Sequence, residues 1–314
     1  MIRVTRRRVL LAVLALFLVS VGVIAWTLAG LPPVKYYLRY GLDPYCEPTG
    51  ERVTYEGVEF VEIGPGVFRM GSTYLAEGGD WLGKVCQPLG LPWGKHPKPS
   101  DEMPVHWVDF RHGFWIARTE VTNAQYERFR PKQERNRYAK GDEDPVTGVQ
   151  WEEAKEYCAW LSGKSGRPIR LPSESEWECA CRAGSNTEFT FGDDEARLSK
   201  YAWFGWELLT QGGQAHAVAL RHPNRWGLYD LHGNVFEWCE DTYHASYERA
   251  PSDGSPWTEG GEEWEPGSQY RVFRGGSWFV ISALGCRSAC RFWRVPDSRF
   301  SLHGFRPAFV LSDD

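Results

Sequence analysis

From residue 186 to the end of this 314-residue chain, apolar residues hardly ever recur at the three-to-four spacing of a helix. Aromatic residues and glycine fill that stretch instead, and the whole chain holds 16 Trp, 14 Tyr, 16 Phe and 33 Gly. Large aromatic plates can build a core without long regular elements, so a compact, loop-rich fold is expected. Only short strands are expected there, at "YRVFRGG" and "GFRPAFVL". The length can bury a sizeable core, and neither an internal repeat nor a second domain is visible. Net charge is −5 and no basic block occurs beyond the extreme N-terminus, which argues against nucleic acid as a partner.

The first half is more regular. In "FVEIGPGVFRMGS", residues 60–63 and 67–70 alternate around Gly-Pro-Gly, a hairpin signal. "VHWVDF" and "FWIA" read as short strands, and the Gly/Pro-rich stretch between residues 74 and 104 reads as a surface loop. Three helices declare themselves. Thr122 and Gln125 form a capping box in "TNAQYERF". "VTGVQWEEAKEYCAWLS" puts Trp151, Ala154, Cys158 and Leu161 on one face. In "PSESEWECACRAG", Ser173 caps, Glu176 is its box partner and Gly184 is the stop. The many carboxylates of "SESE" and "WEEAKEY" read as caps and solvated faces.

At the N-terminus, four Arg precede an uncharged, mostly apolar run over residues 9–30. As a helix at about 1.5 Å per residue, the run can cross a bilayer core of roughly 30 Å. Positive charge on the cytoplasmic side then sends the remainder to the periplasm or extracellular space. The expected organisation is a signal anchor or transmembrane helix at 1–30, a tether at 31–52 and one domain at 53–312. Export followed by cleavage near "TLAG" is the alternative, and "TRRRVLL" resembles a twin-arginine signal. Eight cysteines in such a compartment can form disulfides. No C-x-x-C is present, and Cys179 and Cys181 point apart on a helix, so a zinc cluster is a poor reading. The eight His form no H-x-x-x-H or H-E-x-x-H pair.

Eight phrases in order resemble the formylglycine-generating enzyme, or sulfatase-modifying factor, family: "FVEIGPGVFRMGS", "DEMPVHWVDF", "ARTEVTNAQYERF", "PVTGVQWEEAKEYCAWLS", "IRLPSESEWECACRAG", "NRWGLYDLHGNVFEWCEDTY", "RVFRGGSW" and "GFRPAF". The resemblance implies an α+β, C-type-lectin-like fold with little regular structure. Active members oxidise a sulfatase cysteine to formylglycine using copper and oxygen, which needs soft thiolate ligands. The two working positions of the family fall on Val280 and Gly285, and neither can bind copper. A shifted alignment would bring Cys286 and Cys290 into play beside Ser277, at the cost of the match at "RSACR". The resemblance otherwise assigns Cys290 to a structural disulfide with Cys181. It leaves Cys158 opposite Pro307, hence a small buried hydrophobe; Cys46 and Cys86 remain as a possible pair.

Within "DLHGNVFEW" the resemblance also implies a structural Ca²⁺, held at Asp230, Gly233, Val235 and Glu237 by carboxylates and backbone carbonyls. The plainer reading is that Asp230 and Glu237 cap turns and pair with Arg. A second calcium site of some members is lost, because Trp203 stands where Asn is expected.

Between residues 279 and 303 lies a chemically mixed set with no amphipathic period: Phe279, Val280, Ile281, Ser282, Leu284, Gly285, Phe292, Val295, Ser298, Phe300, Ser301, Leu302 and His303. By resemblance this is the peptide groove. Phe279, Ile281, Leu284, Phe292, Trp293, Phe300 and His303 are its expected contacts. The leading expectation is a membrane-anchored, extracytoplasmic module without oxidase activity that binds a protein, peptide or glycan. The alternatives are a formylglycine-generating oxidase and a binding protein diversified by a retroelement, since the thirteen residues fit the set that adenine-directed mutagenesis of Asn codons yields.

Overall fold

The computed structural model describes residues 30–73, 99–205 and 213–311. Two compact units divide the chain, residues 1–44 and 45–314. In the first, the described part holds helix α1 (Val34–Tyr40). No helix among the described residues is long and apolar enough to cross a membrane, and all but the last residue of the apolar run at 9–30 lies outside them.

The second unit begins before the expected boundary. Residues 48–52, read as tether, are already in β1 (Pro48–Tyr55). That strand turns into β2 (Val58–Ile63) over Glu56 and Gly57, both at positive φ, which matches the right-handed twist of the paired strands. The expected hairpin around Gly64-Pro65-Gly66 does not form. β2 pairs with β1 and with β5 (Phe114–Ala117), whereas β3 (Gly66–Met70) pairs with β4 (His106–Phe110). The Gly-Pro-Gly segment is therefore a crossing between sheets. Gly66 is needed there because a Cβ would lie 2.6 Å from the Cys46 backbone nitrogen.

α2 (Asn123–Phe129) and α4 (Glu174–Arg182) carry the expected capping boxes at Thr122/Gln125 and Ser173/Glu176. In α4 the left-handed cap residue is Ala183, one before Gly184. α3 (Trp151–Ser165) buries the expected face together with Tyr157. Tyr157 stacks on Tyr126 at 5.5 Å and meets Phe305 edge-on at 5.3 Å. Burying each such side chain contributes about 1.5–3 kcal/mol. A short α5 (Leu198–Tyr201) follows.

β6 (Phe236–Thr242) emerges from the "GNVFEWCEDT" phrase, where the sequence carries no sustained alternating strand pattern. It lies inside a sheet ordered β10 (Phe292–Arg294), β9 (Arg271–Arg274), β6, β11 (His303–Gly304). The other large sheet runs β1, β2, β5, β12 (Ala308–Phe309), and a small hairpin joins β7 (Glu263–Glu265) to β8 (Ser268–Gln269). Many short elements around an aromatic core is the α+β, low-regularity architecture expected.

Candidate functional site: the 275–290 segment and the carboxylate cluster behind it

β9 delivers the chain into Gly275 and Gly276, at φ +97° and +76°. A Cβ on Gly276 would stand 2.6 Å from the Cys286 sulfur, so this tight return onto Cys286 requires glycine. The backbone then closes on itself. The Val280 N–H donates to the Ser277 carbonyl at 2.9 Å, and the Val280 carbonyl accepts the Gly205 N–H at 2.8 Å. The Ser282 hydroxyl accepts the Leu284 N–H at 3.3 Å and caps a 3-10 turn over Ala283–Cys286. Ser277 is fully buried. Val280 is 2% exposed and packs in the core, and Gly285 is buried in the turn. Neither family position offers a donor or an opening.

Cys286, Cys290 and Cys181 are buried free thiols. Burial pushes Cys181 and Cys290 up to about 12, and burial, helped by Cys290 and Cys181 beside it, also pushes Cys286 well above the usual thiol range. All three are therefore protonated at neutral pH, the unreactive form. The expected Cys181–Cys290 disulfide is not present. The Cys181 sulfur points instead at the Leu231 carbonyl, 3.5 Å away, and at the His232 ring, 3.8 Å away. His232 is structural: its Nδ1 bonds the Cys286 carbonyl at 2.8 Å, and burial lowers it to about 4. Cys46 lies beside Cys179, within hydrogen-bonding reach; Cys86 is outside the described residues. Cys158 is buried, as expected of a small hydrophobe.

The expected contact residues separate into two groups. Ile281 is 43% exposed, with Phe279 and Leu284 half-buried on the same loop. Phe300 is half-buried under the Arg294 guanidinium, and Trp293 is stacked on Tyr243 at 4.0 Å. Phe292 and His303 are not on a face at all. Phe292 lies in β10 against Phe236 and Phe273, at 4.8 and 5.6 Å. His303 lies in β11, fully buried among Phe273, Trp238 and Phe236, with neither ring nitrogen hydrogen-bonded and its basicity strongly depressed by burial. Both are buried because their strands pair into the sheet, Phe292 opposite Phe273 of β9 and His303 opposite Phe236 of β6, pairings invisible in their local sequence.

Arginines fasten this segment from behind. Arg274 pairs with Glu178 and donates to the carbonyls of Ser288, Ala289 and Cys290. Arg287 forks onto Glu102 at 2.5 and 2.9 Å, and Arg291 onto Glu174 at 2.6 and 2.8 Å. Glu174, Glu176 and Glu178 are all buried: Glu176 keeps its expected cap role, while Glu174 and Glu178, expected on a solvated face, are held by these arginines. Burial alone would raise Glu178; Arg182 and Arg274 outweigh it and hold it below the usual range. The only sequence trace of this network is three Glu on α4 and Arg spaced along residues 274–291. Planar guanidinium forks are suited to buried carboxylates, and removing one partner of such a pair costs about 3–5 kcal/mol.

In the "DLHGNVFEW" loop, Asp230 and Asn234 adopt φ of +62° and +63°. Glu237 is spent: Arg306 grips both its oxygens at 2.6 Å, and Trp177 donates to one at 2.8 Å. The plainer expectation of an arginine pair therefore holds for Glu237. Asp230 keeps one oxygen bonded to the Ala219 N–H and the other without a partner. A residue not singled out from sequence joins it. Glu120 is fully buried, and neither of its oxygens has a partner from another residue. Burial, then the charges of Asp230 and Glu237, push Glu120 well above the usual carboxylate range; burial pushes Asp230 up to about 6. Among the described residues no group of three or more His, Cys, Asp or Glu is arranged to hold a metal. Unsatisfied hard oxygens on Asp230 and Glu120 nonetheless match the chemistry of Ca²⁺, with backbone carbonyls as further donors.

A cavity of about 410 Å³ elsewhere is lined by Phe110, Arg111, His112, Arg170, Glu176 and Asp253, among others, and shares no residue with the 275–303 region.

A family model described as the sulfatase-modifying factor enzyme 1-like domain matches residues 47–310. The chain belongs to this family. Among sulfatase-modifying-factor relatives, the formylglycine-generating enzyme of Bos taurus is 35% identical over 177 residues, covering 52% of this chain and 43% of that protein. The inactive C-alpha-formylglycine-generating enzyme 2 of Mus musculus is 33% identical over 178 residues, covering 52% and 48%. The serine/threonine-protein kinase pkn1 of Chlamydia caviae is 31% identical over 241 residues, covering 68% and 36%. The chain thus spans about a third to a half of the length of these curated relatives. The solved structure of PvdO from Pseudomonas aeruginosa matches with a TM-score of 0.68 and 31% identity, over 84% of this chain and 99% of that one. Treponema denticola variable protein 1 matches with a TM-score of 0.63 and 25% identity, over 84% and 100%.

Proposed function

We propose that this sulfatase-modifying-factor domain is an extracytoplasmic binding module without oxidase activity. It grips a peptide, protein or glycan through the loop carrying Phe279, Ile281 and Leu284. The observation that carries the reading is the state of the two family positions. Val280 and Gly285 supply no sulfur, and their backbone is sealed by hydrogen bonds, while Ile281 between them faces solvent. An exposed apolar side chain flanked by half-buried ones on a rigid base is what a contact patch requires. A relative named as inactive and a structural neighbour named as a variable protein are consistent with a family that includes members outside the oxidase role.

The oxidase reading would need Cys286 and Cys290, and both are protonated, buried thiols. The retroelement reading is weakened by burial: Val280, Gly285, Phe292, Leu302 and His303 of its thirteen positions are core residues, where free variation would open cavities or strand polar groups. The test is direct. Purified full-length protein is incubated with Cu(I), oxygen and a C-x-P-x-R peptide. An unchanged peptide mass is expected, and conversion of its cysteine to formylglycine overturns the reading.

The same proposal includes a structural Ca²⁺ in the Asp230 loop, with Asp230 and Glu120 as its carboxylates and the Gly233 and Val235 positions as backbone donors. It also includes membrane anchoring through residues 9–30, with the domain outside the cytoplasm; cleavage after export is the variant of that arrangement.

A further inference from the structure

We infer that α1 (Val34–Tyr40) lies in the lipid–water interface of the membrane, with Val34 and Leu38 facing the acyl boundary. The inference rests on reading residues 9–30 as a membrane-crossing run.

The helix is bounded by its own sequence. Pro33 precedes it with φ −52° and accepts the Tyr36 N–H at 2.9 Å; Gly41, at φ +84°, ends it and donates to the Tyr37 carbonyl at 3.0 Å. Its seven residues span about 10 Å. Val34 and Leu38 stand one turn apart on one face and are 58% and 84% exposed. Leu31 before the helix is 37% exposed and Leu42 after it is 96% exposed. Among the described residues, only three other large hydrophobics are exposed: Leu220, Trp264 and Ile281. Four of seven therefore fall in a twelve-residue stretch. Scattered apolar exposure is ordinary on a soluble surface, but concentration of this kind marks a covered surface.

The position of the stripe in the chain points to lipid as its cover. The stripe starts four residues after the end of an uncharged run of 22 residues, so a chain crossing the bilayer there delivers α1 to the headgroup layer. Lys35 and Arg39 each follow a stripe residue and stand one turn apart on the same side of the helix, where their stems can lie along the apolar boundary and their charges reach lipid phosphates. Tyr37 and Tyr40, both half-buried, supply amphipathic rings of the kind found at such depths, while Tyr36, on the opposite face, is buried. A protein partner would not need both the cations and the position beside the run.

The test uses full-length protein in vesicles of phosphatidylglycerol and phosphatidylethanolamine, in a Cys86→Ser background that leaves only cysteines buried in the described fold. Leu38→Cys and, as control, the exposed domain residue Lys164→Cys are labelled with an environment-sensitive fluorophore. Lipids carrying a quencher at the headgroup–acyl boundary should quench label 38 at least about twofold more than label 164. Adding Lys35→Glu and Arg39→Glu should reduce that difference. Protein that floats with vesicles while label 38 stays unquenched overturns the inference and leaves the anchor standing. A blue shift at label 38 without lipid quenching, which signals cover by protein, also overturns it. Protein that does not float removes the anchor reading and the inference with it.

Discussion

Glu120→Gln separates a calcium-braced loop from a merely acidic one. Burial and two neighbouring carboxylates hold Glu120 well above the usual carboxylate range, which favours its neutral form when no metal is bound. Glutamine copies that neutral form, and the substitution should be nearly neutral in chelator. Calcium changes the balance, because binding must displace the proton and use the carboxylate. At a hundredfold excess over Kd, bound calcium stabilises the fold by about 2.7 kcal/mol. For a domain of this size that raises Tm by roughly 5–10 °C, at about 2–4 °C per kcal/mol. Losing one carboxylate should weaken calcium about 10- to 100-fold, removing about 1.3–2.3 kcal/mol of that gain at the same calcium concentration. Differential scanning fluorimetry of wild type and Glu120→Gln, each with calcium and with EDTA, reads all four states. Equal Tm for wild type in calcium and EDTA refutes the site, and a full calcium shift in the variant refutes the part given to Glu120.

Three further outcomes are expected. Burial raises Asp101 and Asp241 to about 7, against the pull of Arg291 and Tyr243 on Asp101 and of backbone N–H groups on Asp241. Their folded values exceed the unfolded value near 3.9, so the native state holds extra protons. Their stabilising contribution is complete below about pH 4 and is lost as pH rises through about 7; urea midpoints should fall between pH 5 and 8, and a rise would show that other groups dominate. Phe292→Ala should cost about 3–5 kcal/mol in urea unfolding and Ile281→Asp within about 0.5 kcal/mol, the contrast between a core ring and a surface contact; equal costs would remove the distinction drawn between them. Thiol reagents at pH 8 should modify Cys181, Cys286 and Cys290 at least about a hundredfold more slowly in native protein than in urea, and comparable rates would show an accessible thiol centre.

Caps and faces were legible because they are local. Thr122 with Gln125, Ser173 with Glu176, and Trp151, Ala154, Cys158 and Leu161 interact within one or a few turns, so their spacing already contains the geometry. Gly64-Pro65-Gly66 misled for the opposite reason. A turn signal tells that the chain bends, while the partner of each flanking strand is set by residues some fifty positions away. The same limit explains Phe292 and His303, whose direction depends on pairing with β9 and β6. It also explains Glu120, which meets Asp230 only through the folded chain.

Sequence alone determined the family, the loop-rich aromatic architecture and the absence of sulfur at positions 280 and 285, since these follow from residue identity and order. Tertiary structure decided which carboxylates are buried in arginine forks, which hydrophobics face water and where the thiols point. Those depend on free energies of desolvation and pairing that exist only once distant segments share the same space.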